Sequence, residues 1–278
     1  MSSKSLNRGA LPMLKLTLPI AMEQFFRILV SSVDTMMLSS YSNEAVAAVG
    51  LVSQYSFFLV ILFSVIGTGC SIVLAQYLGA EKPENDLNHI AQAGAIMVFF
   101  MSLLMTVLVI FGTGWLLDHY TLEPLVRKYA WQYFIIYGGI CCFFNAFSLL
   151  QGAILRSYGY TSEAMIVSII ANLTNVLGNA LSLYGWFGLP VLGVPGVAGA
   201  SGLSMAVSCV LFFFFIRRRR DVVFHAHGIT KVPREAFRLV LKVGVPTAGE
   251  SLSYNVSQIT VMAMISTLGT YAMSAQVY

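Results

Sequence analysis

The sequence predicts an all-α membrane protein: a polytopic helical bundle made of one six-helix lobe followed by the start of a second, joined by a parallel, pseudo-two-fold repeat. Three observations predict it. The 278 residues are 57% hydrophobic and only 10% charged, against about a quarter charged in soluble domains. Their mean hydropathy is +0.77. Apolar runs long enough to cross a hydrocarbon core, which takes about 20 residues per helix, recur along the chain, and the opening of the first run reappears in the last.

The N-terminal stretch "MSSKSLNRGALPMLKLTLPIAM" is basic, then apolar. It lacks a small-residue cleavage site and its apolar part runs past the length of a signal peptide, so residues 14–39 read as an uncleaved first span. Further spans are expected at 46–78, 88–117, 125–155, 163–187, 195–216 and 237–268. That makes seven complete spans, plus an eighth that starts near Ala272 and is truncated at Tyr278. The runs lack the period-2 alternation of a barrel, so helices are expected. The implied organisation is a first lobe over 1–216, an inter-lobe linker over 217–236, and the start of a second lobe over 237–278. Within that region, residues 233–242 read as a short amphipathic helix on the membrane surface. Cys70, Cys141, Cys142 and Cys209 all fall in apolar runs without metal-ligand or disulfide-framework spacing.

Positive charge orients the bundle. With a cytoplasmic N-terminus, the inner segments hold thirteen of the Lys and Arg residues, from Lys4 to Lys242 and including Arg217 to Arg220, while the outer loops hold only Arg127 and Lys128. The expected location is therefore the cell membrane, multi-pass, with the N-terminus inside. The basic run Arg217 to Arg220 could mark a nucleic-acid or anionic-lipid patch, but the plainer reading is a stop-transfer anchor on the cytoplasmic face beside membrane lipid, and no nucleic-acid partner is expected.

A shift of 227 residues lays "LKLTLPIAMEQ" on "LKVGVPTAGES", with Leu14, Lys15, Pro19, Ala21 and Glu23 meeting identical residues at Leu241, Lys242, Pro246, Ala248 and Glu250. Six spans separate the copies, so both enter the membrane in the same sense. Transporters are commonly built from such repeats, with the site between the halves.

Charged and amide residues inside the spans are the candidate site. Each charge at bilayer centre costs about 2.5–3.5 kcal/mol. Glu23, Arg27 and Asp34 fall within about 40° of one another on a helix, forming a stripe that must meet water or polar partners. Glu23 and Arg27 are spaced to pair; Asp34 has no cation on its own helix. Asn172, Asn175 and Asn179 in the fifth span share a face about 60° wide. Their carbonyls suit a hard cation or a carboxylate network. Asp34 with Asn172, Asn175 and Asn179 is the expected cation or proton site, with Na⁺ expected, if a metal at all, at Asp34 and Asn175. Glu23, Arg27, Glu250 and Gln54 are the expected cavity and gating residues. No catalytic residues and no cofactor beyond the coupling ion are expected.

Five segments resemble, in order, the multidrug and toxic compound extrusion (MATE) transporters: "PIAMEQFFRILVSSVDTMMLSSYSNEAVAAVGL", "GCSIVLAQYLGAEKPE", "LQGAILRSYGYTSEAM", "NLTNVLGNALSLYG" and "GVPGVAGASGLS". The resemblance implies twelve helices in two lobes and a monomer. It implies extrusion of small organic, often cationic, compounds in exchange for Na⁺ or H⁺. It matches Asp34 to the family's first-span acid and Asn175 to its span-five asparagine. Asn179 stands where many members carry a second acid, which points to Asp34 acting with amides or to acids in the second lobe. A lipid-linked precursor flippase of the same wider superfamily would want a strongly basic cavity, whereas Arg27 is the one intramembrane base. An intramembrane aspartyl protease needs paired acids, and one mid-membrane Asp is present, so an enzyme is not expected.

Overall fold

The computed structural model describes residues 13–120, 122–185, 188, 190–225 and 231–266. All regular structure among them is helical: α1 (Met13–Tyr41), α2 (Asn43–Gly79), α3 (Glu84–Asp118), α4 (Pro124–Phe134), a π-helical segment (Ile135–Ile140), α5 (Cys142–Ser157), α6 (Thr161–Tyr184), α7 (Gly193–Arg218) and α8 (Arg234–Ser266). Local chemistry sets the boundaries. Ser42 caps α2, its Oγ accepting from Ala45 N at 3.0 Å, with Glu44 in the first turn. Pro83 precedes α3, whose first turn carries Glu84 and Asp86; acids there complement the helix dipole.

By length and composition, α1, α2, α3, α6 and α7 can each cross a membrane, and the bent α4–α5 pair makes a sixth. These helices agree closely with six of the expected spans. The expected seventh span lies on α8. That helix is long enough, but residues 249–258, "GESLSYNVSQ", are polar, and α8 is not among the apolar helices. The expected eighth span lies outside the described residues.

Two expectations are corrected. Residues 125–155 are not one continuous helix. The chain bends by 48° at Cys141, where Cys141 N donates five residues back to Ile136 O at 2.9 Å. Inserting one extra residue into a turn re-aims the helix beyond it. The Gly139 carbonyl is satisfied from α3 by Thr106 Oγ1 at 3.0 Å, as hydrocarbon surroundings require. Nor do residues 233–242 form a separate surface helix. From Arg234 onward they are the first turns of α8, with Ala236 and Val240 buried.

The core runs along α2, which packs on α1, α3, α4, α5 and α8. Its contact with α8 is backbone to backbone. A Cβ on Gly69 would run into the Val240 carbonyl, and one on Gly244 into the Val65 carbonyl. At one end of the bundle, the segment after α7 is tied across three elements. Tyr160 Oη donates to Asp221 Oδ2 at 2.7 Å, Val223 N to Tyr158 Oη at 3.3 Å, and His225 N to Asn88 Oδ1 at 2.9 Å. Arg219 pairs with Glu163.

Overpacking a tight contact costs about 1–3 kcal/mol. Gly69→Val and Gly244→Val are each expected to lower the thermal unfolding midpoint in detergent. Gly112→Ala, where a Cβ meets nothing within 4 Å, is expected to leave it unchanged or raise it. Equal midpoints for all three would mean that α2 and α8 do not touch at these glycines.

Candidate functional site

Asp34 lies on α1 toward the interior, and α6 delivers two amides to it. Asn179 Nδ2 donates to Asp34 Oδ1 at 2.9 Å. A carboxylate only accepts, so the Asn175 amide presents its NH₂ to it, donating to Oδ2 at 2.9 Å, while its own Oδ1 accepts from Ser201 Oγ at 3.0 Å. Asn175 and Asn179 are four residues apart, one turn along the same face of α6, and both are buried. Ser201 stands on α7. The α6–α7 approach that places it depends on Gly178, where a Cβ would come to 2.6 Å from Ala200 Cβ. The Asn179 carbonyl oxygen is buried without a hydrogen-bond partner.

Asp34, Asn179 and Ser201, but not Asn175, line a cavity of 220 Å³ together with Ser31 and Thr35 of α1, Ser53 of α2 and Tyr133 of α4. Pockets that enclose drug-sized ligands run to about 300–1,000 Å³, whereas one water takes about 30 Å³. The cavity therefore has room for a few waters and an ion, and not for an organic substrate. Among the described residues, Asp34 makes no ion pair, so its charge is held by amide dipoles and whatever enters the cavity.

Glu23 belongs to a second cluster, about three turns away on α1. It is 6% exposed. Its Oε1 accepts from Ser168 Oγ at 2.9 Å and lies 3.5 Å from Arg156 Nη1. Arg27 Nη2 is 3.8 Å away, with its side chain 62% exposed. The i,i+4 pair expected from the sequence is thus the weaker of the two ion pairs. The stronger one joins α1 to the end of α5.

The other expected site residues are placed elsewhere. Asn172 is half-buried, one turn from Asn175, and does not line the cavity. Gln54 and Glu250 are exposed. Of the expected set, the structure thus brings Asp34, Asn175 and Asn179 together. Sequence reasoning missed Ser201, Tyr133 and Ser168 as partners. A hydroxyl in a span carries little signal, because it also satisfies itself on its own helix, as Ser56 does on Val52 O.

Residues 19–181 match the MatE family model, more than half of the chain. The chain belongs to the MatE family. It is 34% identical over 263 residues to the uncharacterized transporter YisQ of Bacillus subtilis, a match that covers 95% of the chain and 57% of YisQ. It is 26% identical over 244 residues to a probable multidrug resistance protein, NorM, of Thermotoga maritima, covering 87% of the chain and 52% of NorM. The chain spans about half the length of the curated relatives it matches. In fold it is similar to a MOP superfamily transporter from Pyrococcus furiosus, with a TM-score of 0.83 at 20% identity over 95% of the chain and 57% of that structure. A crystal structure of MATE in complex with MaD5 gives a TM-score of 0.85 at 21% identity, over 95% of the chain and 59% of that structure. MatE proteins are integral to membranes, in keeping with the apolar helices found here.

Removing the buried acid while leaving Arg156 in place leaves a partly buried cation without its partner. Glu23→Ala is expected to cost on the order of 3 kcal/mol, read as a lowered unfolding midpoint in detergent. Arg27→Ala is expected to cost less than about 1 kcal/mol, as for exposed pairs. A larger loss for Arg27→Ala would reverse this ranking of the two pairs.

Proposed function

We propose that this chain carries the first lobe of a secondary antiporter. It would extrude small organic, mainly cationic, compounds across the cell membrane in exchange for Na⁺ or H⁺, with the N-terminus cytoplasmic and no cofactor beyond the coupling ion. The observation that carries the reading is the Asp34 carboxylate, held by two α6 amides beside a cavity of ion rather than drug size. Membership of the MatE family and the likeness to NorM support the substrate class. The small cavity serves coupling in this scheme, and the organic substrate binds where the two lobes face each other.

The chemistry of the cluster gives coupling a physical route. An ionised Asp34 takes two N–H donors. A protonated one is itself a donor and opposes the NH₂ of Asn175. Relief comes when the Asn175 amide turns over. Ser201 Oγ, at 3.0 Å, can donate to the amide oxygen or accept from its NH₂, so it supports either orientation. A cation entering the cavity acts in the same direction by occupying the carboxylate, with the unpartnered Asn179 oxygen as a further hard ligand. Either event changes what ties α1 to α6. A ligand shifts an equilibrium between two states only through such a difference in interaction.

The test is full-length protein in liposomes with a cationic dye, driven in turn by a Na⁺ gradient and by a pH gradient. Dye movement is expected to follow one of the gradients and to fall at least tenfold in Asp34→Asn, with the unfolding midpoint retained. Wild-type transport preserved in that variant would remove Asp34 from coupling. Folded protein that moves no dye under either gradient would turn the reading toward a lipid-precursor flippase.

A further inference from the structure

A second cavity, of 390 Å³, lies away from Asp34, between α3, α5 and α7 at the end of the bundle where the segment after α7 is tied down. Its walls are aromatic: Phe99 and Phe100 of α3, Phe147 of α5 and Phe213 of α7. Three of these rings, those of Phe99, Phe100 and Phe213, are also exposed on the outer surface of the described bundle, so the cavity opens on its side. Its polar lining is Gln92, Gln151, Arg217 and His225; Gln92 Nε2 is engaged by the His225 carbonyl, and two of the four bear on a ligand. Gln151 of α5 is 4% exposed, and its Oε1 is buried without a hydrogen-bond partner. Arg217, in the last turn of α7, lies over the Phe213 ring at 5.1 Å. It forms no ion pair among the described residues, and no acidic side chain lines the cavity.

These features define an occupant. A carbonyl oxygen accepts only, so the ligand must offer a hydroxyl or amine hydrogen to Gln151. An unpaired guanidinium calls for a phosphate or carboxylate. A laterally open aromatic wall calls for a hydrocarbon chain. Organic cations are disfavoured by Arg217. We propose that this cavity binds an anionic phospholipid of the adjacent leaflet, with its phosphate on Arg217, a headgroup hydroxyl donating to Gln151 Oε1, and the start of an acyl chain over the phenylalanines. Positive-inside orientation makes that leaflet the cytoplasmic one, where anionic lipid is concentrated. The site is independent of the coupling scheme, since none of its residues touches the Asp34 cluster.

Native mass spectrometry of the full-length protein in neutral detergent tests it, with phosphatidylglycerol, phosphatidylcholine and inorganic phosphate added separately. Phosphatidylglycerol is expected to be retained at least fivefold more tightly than phosphatidylcholine, and millimolar phosphate is expected not to displace it. Arg217→Gln and Gln151→Leu are each expected to reduce the preference to below twofold. Equal retention of the two lipids, or a preference that survives either substitution, would overturn the proposal. Displacement by phosphate would make the occupant a free anion and equally overturn it. Arg217 is exposed and its replacement is tolerable to the fold; if Gln151→Leu does not fold, Arg217→Gln alone decides.

Discussion

A carboxylate inside a membrane span must find its hydrogen bonds within the bundle, and the packing of α1 against α6, and of α6 against α7, meets that need. Asp34 draws donors from Asn175 and Asn179 on α6. Asn175 in turn relies on Ser201 of α7, which α6 approaches closely because Gly178 lacks a side chain. Three helices are thereby held in one register by a few polar atoms. Hydrocarbon offers none of the competing hydrogen bonds that water would. Glu23 repeats the logic further along α1, engaging Arg156 at the end of α5 and Ser168 of α6. The first helix is fastened at two heights by polar contacts, while much of its apolar surface, Phe25, Ile28 and Met36 among it, stays exposed.

What the sequence disclosed follows from what periodicity can carry. Long apolar runs located the helices, and helical phase put Asp34 on one stripe and Asn175 with Asn179 on another; the meeting of the two stripes was anticipated from chemistry alone. Phase does not report depth or rotation against a neighbour. That is why Asn172, on the same stripe, falls outside the cavity, and why Glu23 chose Arg156, 133 positions away, over the local Arg27. The π-helical bend left little trace beyond a Gly-Gly pair, because one extra residue in a turn alters direction without altering hydrophobicity. The amphipathic pattern of 233–242 was real, but its apolar side faces α2 and not a membrane surface.

The same end of the lobe shows how loops are secured where a bundle meets the membrane edge. The residues after α7 spend their backbone and side-chain hydrogen bonds on Asn88, Tyr158 and Tyr160, and Gln92 Nε2 donates to His225 O at 2.6 Å. This closes the inner wall of the aromatic cavity with fixed groups, so its polar atoms are pre-positioned.

The glycine crossing of α2 and α8 also has a mechanical meaning. The two helices come closest where backbone meets backbone, at Gly69 and Gly244, so a tilt of α8 would pivot about this point. Gly244 is ten residues into a 33-residue helix, which leaves arms of about 15 Å and 33 Å at 1.5 Å per residue. Pro246, two residues beyond, removes a backbone hydrogen bond at nearly the same height. Any tilt about this point would therefore be magnified roughly twofold at the far end of α8 relative to its basic start, making the helix an unequal lever whose short arm rests on α2.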